Sequence, residues 1–301
     1  MTISFFGLGW RTLLRDLRAG ELRLLIVAVT LAVAALTAVG FFADRLKGGL
    51  QRDARQLLGG DAVIASDNPA PLAFIERART LGLLQVQTLG FPTMARASDV
   101  QGGQTKLVAL KVVEPGYPLR GNLRVSDAPG APEGVTRDVP AAGQAWVEAP
   151  LLDALNLRMN DTVLLGDSAL RITRIINNEP DRGAGFMNFA PRVMINQADV
   201  AATGLIQPAS RLSYRMAVAG DEQAVQAFVD WSQAQILART VRGLRVEALQ
   251  GGRPELSSTL ERAEKFLNLV ALLAALLSAV AVALAARGFA ASHLDDCAML
   301  R

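Results

Sequence analysis

The chain has 301 residues, 51% of them hydrophobic, and a formal charge of +3. That charge gathers on no domain: residues 43–265 hold 25 Lys and Arg against 24 Asp and Glu, so no basic face for nucleic acid is encoded. The lone cysteine, Cys297, excludes a disulfide framework and leaves the fold to packing alone.

In the first segment Phe6, Trp10, Leu13, Leu14 and Leu17 recur at helical spacing opposite Arg11, Arg15 and Arg18. This predicts a cytoplasmic amphipathic helix within residues 1–23, with Trp10, Arg11 and Arg15 anchoring it in the membrane interface. Next comes Leu24–Phe42, 19 residues without a charged side chain; its counterpart near the other end is Phe266–Ala286, with 21. A bilayer core takes about 20 helical residues, so both are predicted as transmembrane helices in contact with the lipid bilayer. Arg11, Arg15, Arg18 and Arg23 precede the first span. By the positive-inside rule both termini are cytoplasmic and residues 43–265 lie outside the inner (cell) membrane.

Neither helix stops at the bilayer. Leu46, Leu50, Ala54, Leu57 and Leu58 continue the first to Gly59-Gly60, and Leu256, Leu260, Ala263 and Leu267 lead from Pro254 into the second. A paired stalk is the expectation.

Between them the pattern is mixed α/β. Strands are expected at Asp61–Ser66, Leu83–Ala97, Gln104–Val113, Trp146–Val147, Thr162–Leu165, Ala169–Ile176 and Arg192–Ile195. Helices are expected at Leu72–Leu81, Ala149–Leu157 and Asp221–Thr240. Glu114–Gly143 and Glu179–Pro191, rich in Gly and Pro or polar residues, read as long connections.

Chemistry is sparse. No G-x-x-x-x-G-K-[ST] occurs, and Gly7-Leu-Gly9 lacks the third glycine of a dinucleotide fingerprint. A hydrolytic triad needs a histidine, and the single one, His293, is in the cytoplasmic tail. His293 and Cys297 at i, i+4 make two metal ligands at most, so no metal or other cofactor is expected. Asp61 with Asp67, or Glu179 with Asp181, could do acid–base work, but carboxylates are common in loops. No catalytic constellation emerges. The tail Arg287–Arg301 reads as a short helix that docks on a cytoplasmic partner.

Several segments carry a resemblance: GLGWRTLLRDLRAGELRLL at the start, GYPLRG at Gly116–Gly121, EPDRG at Glu179–Gly183, PRVMINQADVAATGL at Pro191–Leu205, SRLSYR at Ser210–Arg215 and HLDDCAMLR at His293–Arg301. In order and across essentially the whole chain, it resembles the FtsX-like permeases of ABC systems, with a MacB-type periplasmic core domain, and within them the large YbbP-like permeases. The resemblance implies a separate cytoplasmic ATPase partner and motion transmitted to the periplasmic domain. It implies that residues 287–301 form the coupling segment, with Asp295, Asp296, Leu300 and Arg301 as ATPase contacts. A periplasmic partner, or a lipid or lipoprotein substrate, is the further contact to expect, and no residue pattern selects among them. Such permeases have further membrane helices, so the chain reads as an N-terminal fragment. The alternative is a two-span receptor with a periplasmic ligand domain, which would need more output machinery than 15 residues.

Overall fold

The computed structural model describes residues 21–182, 189–207, 210–238, 243–248 and 254–292. Two compact units make up the chain: residues 1–50 with 258–301, and residues 51–257.

The first unit is built from two long helices, α1 (Glu21–Leu58) and α5 (Pro254–Ser292), whose remaining turns fall in the second unit. Large apolar side chains stand exposed along both, among them Phe41 and Phe42 on one and Phe266, Leu277 and Leu284 on the other. Thr30 and Thr37 turn their hydroxyls back onto the carbonyls of Ile26 and Val33, so neither presents an unmet donor to an apolar surrounding. Among the described residues, one stretch, Leu269–Gly288, is long and apolar enough to cross a membrane by length and composition.

The second unit is mixed α/β, as the patterning predicts. Its strands are β1 (Ala62–Ser66), β2 (Leu84–Ala97), β3 (Thr105–Val113), β4 (Leu123–Ser126), β5 (Gly134–Thr136), β6 (Gln144–Val147), β7 (Thr162–Leu165), β8 (Ser168–Asn178), β9 (Arg192–Asn196), β10 (Ser213–Ala219) and β11 (Leu244–Ala248). Three helices join them: α2 (Leu72–Thr80), α3 (Ala149–Leu155) and α4 (Glu222–Leu237). The hairpin expected across Asp99–Gly103 forms, with β2 and β3 antiparallel and Met94 opposite Leu107.

Six strands close a ring: β2 pairs β3, β3 pairs β9, β9 pairs β6, β6 pairs β8, β8 pairs β7, and β7 returns to β2. Closure removes the exposed edges an open sheet would leave. Leu110, Val147, Leu165, Ile172 and Ile195 fill the ring, and Leu151 and Leu155 of α3 pack on it. Long β2 also extends into an antiparallel sheet ordered β11-β1-β10-β2. On one face of that sheet α2 and α4 supply Phe74 and Phe228, which meet Ile64, Met216 and Val218. Phe74 touches Phe228 edge-on at 6.5 Å between ring centres.

Strand periodicity then makes a third cluster between these two. Val147 faces the ring while its neighbour Trp146 faces out, and Met194 does the same between Val193 and Ile195. Val63 and Ala217 turn the same way from the open sheet, so the two outward sets meet around Tyr117 and Leu58, the last residue of α1.

Four strands depart from the sequence expectation. β4 and β5 lie inside Glu114–Gly143, and β10 and β11 lie where no strand was read, as an arginine interrupts each apolar pattern. Arg215 of β10 is matched by Glu247 of β11 at 3.0 Å. Backbone pairing and a cross-strand ion pair replace the alternation that sequence reading depends on.

Candidate functional site

Helix α1 ends at Gly59, whose φ of +72° is the left-handed conformation that a glycine adopts without strain. Three loops converge there. The Gly59 carbonyl accepts from the Arg120 amide at 3.1 Å, and the Asp61 amide donates to Val218 at 2.8 Å. Asp61, buried, accepts a two-pronged bond from Arg120, Nε at 3.0 Å and Nη2 at 2.7 Å, and a third from the Gly220 amide at 3.1 Å. That bond to Asp61 raises the Arg120 guanidinium's pKa further, so the guanidinium stays charged.

Approach is close. A methyl group at Gly121 (φ +85°) would sit 2.6 Å from Pro180 Cβ, and one at Gly59 would sit 3.1 Å from Asp181 Cβ. The backbone at Gly59 and Gly121 therefore packs directly against the side chains of Asp181 and Pro180, with no room for a side chain of its own.

Beneath them lies a buried charge cluster. Lys111, near the end of β3, donates from Nζ to Glu179 at 2.5 Å, to Asp181 at 2.7 Å and to Tyr117 Oη at 2.9 Å. Tyr117 in turn donates its hydroxyl to Asp181. Arg192 Nε donates to the other Glu179 oxygen at 2.7 Å. Glu148 accepts from the Arg192 amide at 3.0 Å and pairs with Arg182.

Electrostatics follow from this geometry. Burial, reinforced by the negative charge of Asp181 and Glu179, pushes the Tyr117 phenol well above its ordinary pKa, so it remains a donor. Burial would also raise the Asp181 carboxyl. The Lys111 ammonium and the bonds from Lys111 and Tyr117 outweigh it and hold Asp181 below the usual carboxylate range. Burial and the nearby charge of Arg192 lower the Arg182 guanidinium.

Such a cluster is poorly suited to proton transfer and well suited to fixing an angle. Each carboxylate is already matched by a cation, which leaves no oxygen poised for a substrate proton. Of the two carboxylate pairs considered for acid–base work, Glu179 and Asp181 do meet, but around Lys111. Asp61 and Asp67 do not meet: they flank opposite ends of β1, roughly 20 Å apart at about 3.3 Å per residue. Among the described residues no group of three or more His, Cys, Asp or Glu side chains gathers to hold a metal.

Trp10, Arg11, Arg15, Asp295, Asp296, Leu300 and Arg301, the anchor and coupling residues of the sequence reading, lie outside the described residues, as do His293 and Cys297. The joint itself was not read from the sequence as a site, although its parts fall within segments already singled out. GYPLRG supplies Tyr117, Arg120 and Gly121, and EPDRG supplies Glu179 to Arg182. PRVMIN supplies Arg192. The signal that could have found it is Lys111: a lysine inside the apolar run Leu107–Val113 is a buried charge in search of a partner.

Comparison with known proteins gives one strong likeness. The chain is 34% identical over 287 residues, 95% of its length, to the uncharacterized ABC transporter permease YbbP of Escherichia coli (strain K12). No family model matches it. Among solved structures, the periplasmic region of MacB from Actinobacillus actinomycetemcomitans aligns at 10% identity, covering 69% of this chain and 95% of that one, with a TM-score of 0.40. A domain of a Porphyromonas gingivalis protein described as a permease aligns at 10% identity over 62% and 89%, with a TM-score of 0.36. At these scores neither structural likeness bears on fold or function. The sequence likeness does: along nearly its whole length this chain is a relative of a YbbP-type ABC transporter permease, and it spans 34% of that relative's length.

Proposed function

We propose that the chain is a membrane (permease) subunit of an ABC-type export or mechanotransmission complex, coupling a separate cytoplasmic ATPase to an extracytoplasmic α/β domain. The 34% identity to a permease over 95% of the chain carries this reading. In it, residues 24–42 and 266–286 cross the inner membrane, residues 1–23 and 287–301 are cytoplasmic, and residues 43–265 form a MacB-like periplasmic domain with stalk helices at both ends. The long apolar runs within α1 and α5 support two spans.

The joint at Gly59 gives the coupling a physical basis. A helix whose end is clamped by buried ion pairs passes on a push or a rotation, where a solvated linker would absorb it. ATP hydrolysis belongs to the partner; Asp295, Asp296, Leu300 and Arg301 are its contacts on this chain, and Trp10, Arg11 and Arg15 hold the amino-terminal helix at the bilayer surface. A periplasmic partner, or a lipid or lipoprotein substrate, meets the far domain.

Affinity purification of the full chain from its own membranes tests this. Recovery of a P-loop ATPase is expected, and it should be lost when Asp295, Asp296 and Arg301 are reversed in charge together. An ATPase retained by that triple variant contradicts the coupling assignment. Failure to recover one from cross-linked native membranes contradicts the permease reading itself.

A further inference from the structure

Outside the joint, a cleft of about 500 Å³ opens on the 51–257 unit, with Trp146 and Gln144 of β6, Thr173 and Arg174 of β8, and Arg137 and Asp138 in its walls. Trp146 is its buried floor. The Arg174 guanidinium lies over that indole, 5.2 Å from the ring centre. Its nearest carboxylates, Asp127 and Asp138, are each 3.9 Å away and largely exposed. That is outside the roughly 2.7–3.2 Å of a hydrogen bond, so both are loose counter-ions.

We propose that this cleft binds an organic oxyanion, a carboxylate or phosphate group on a small body, gripped by Arg174 with Arg137 as the second cation. A guanidinium stacked on an aromatic ring is oriented in advance, and its planar fork matches two oxygens of either anion. The walls carry two cations against the single carboxylate of Asp138. A ligand oxygen arriving at hydrogen-bond distance outcompetes an aspartate at 3.9 Å, because attraction falls with separation. Gln144 Oε1 accepts from Thr173 Oγ1 at 3.1 Å, which leaves the Gln144 amide nitrogen as a neutral donor for the ligand. The volume falls in the range of about 300–1,000 Å³ typical of small-molecule sites, larger than a bare inorganic ion requires. This site stands independently of the coupling reading, since no residue of the joint lines it.

The full chain is reconstituted in phosphatidylcholine nanodiscs and titrated calorimetrically with glycerol 3-phosphate and with succinate. Saturable binding of at least one probe is expected, weakened ten-fold or more by Arg174→Gln and by Arg137→Gln. Arg137 is exposed, so its variant keeps the test sound even if Arg174→Gln loosens the Trp146 floor. Nanodiscs containing phosphatidylglycerol separate the two sources: a lipid headgroup occupying the cleft competes the soluble probe away, whereas a soluble ligand's site leaves its binding unchanged. No saturable binding of either probe in phosphatidylcholine nanodiscs, or binding that both variants leave unaltered, overturns the proposal.

Discussion

The closed ring and the joint at the end of α1 are both buried, yet they are held by opposite means. The ring interior is apolar, filled by Leu110, Leu165, Ile172 and Ile195. The joint is ionic, with Lys111, Glu179, Asp181 and Arg192 matched atom to atom. Apolar packing is non-directional, so a ring filled this way resists compression but tolerates exchange of one aliphatic side chain for another. A buried ion pair adds little net stability over an apolar substitute, since desolvation offsets its attraction. What it does impose is geometry: a charge a few ångströms out of place is expensive. The ring makes the unit stable, and the joint makes one orientation of the helix end stable.

The largest effect is expected from Lys111→Ala, which leaves buried Asp181 without its cation and Glu179 with Arg192 alone, and should cost about 3–5 kcal/mol. Denaturant unfolding of the full chain in detergent measures it. Replacing Lys111 and Asp181 together by Met and Asn, with Glu179 kept for Arg192, should restore much of the loss. If it does not, the cluster contributes through packing and the contrast with the ring fails. Leu165→Ala in the ring should cost about 2–4 kcal/mol by the same measurement, with no rescue by removing any charge. Gly121→Ala drives a methyl group into Pro180 at a left-handed φ and should cost about 1–3 kcal/mol.

Acid acts on the joint and spares the ring. Asp181 is held below its unfolded pKa of about 3.9, so the stability it contributes is complete above that value and disappears as pH falls through the lower folded one. The Tyr117 phenol is shifted the other way: its contribution is complete below about pH 10 and disappears as pH climbs beyond. Asp181→Asn should therefore flatten the fall in melting temperature between pH 6 and pH 3, while Leu165→Ala lowers the whole curve without changing its shape. The smallest effect belongs to the exposed pair Arg96–Asp99 at the β2–β3 turn. Asp99→Ala should change stability by less than about 1 kcal/mol, and by less again in high salt.

Much of the ring was legible in the sequence because its strands are short apolar runs set off by turn residues. The runs ending at Ala97 and Val113 and the short strands at Trp146–Val147, Thr162–Leu165 and Arg192–Ile195 emerge as apolar or β-rich runs, with Gly and Pro marking the turns. Edge and ion-paired strands were not legible. β5 is three residues long, and β10 carries Arg215, whose partner Glu247 is 32 positions away. The joint was half legible. GYPLRG and EPDRG stood out as segments, and the Gly59-Gly60 stop was visible as a helix end. Their convergence was not, since Lys111 lies 68 residues from Glu179 and no local pattern links them. Residue spacing reports what lies along one element; it is silent on which loops meet.

Amide hydrogen exchange on the full chain in nanodiscs tests most directly whether the end of α1 is clamped. The amides of Gly59, Asp61 and Arg120 should exchange as slowly as those of Val193–Ile195 in the ring, and become selectively fast in Lys111→Ala. If in the unaltered chain they exchange orders of magnitude faster than the ring strands, the joint opens on its own. The end of α1 would then be a hinge, and the coupling built on its rigidity would be contradicted.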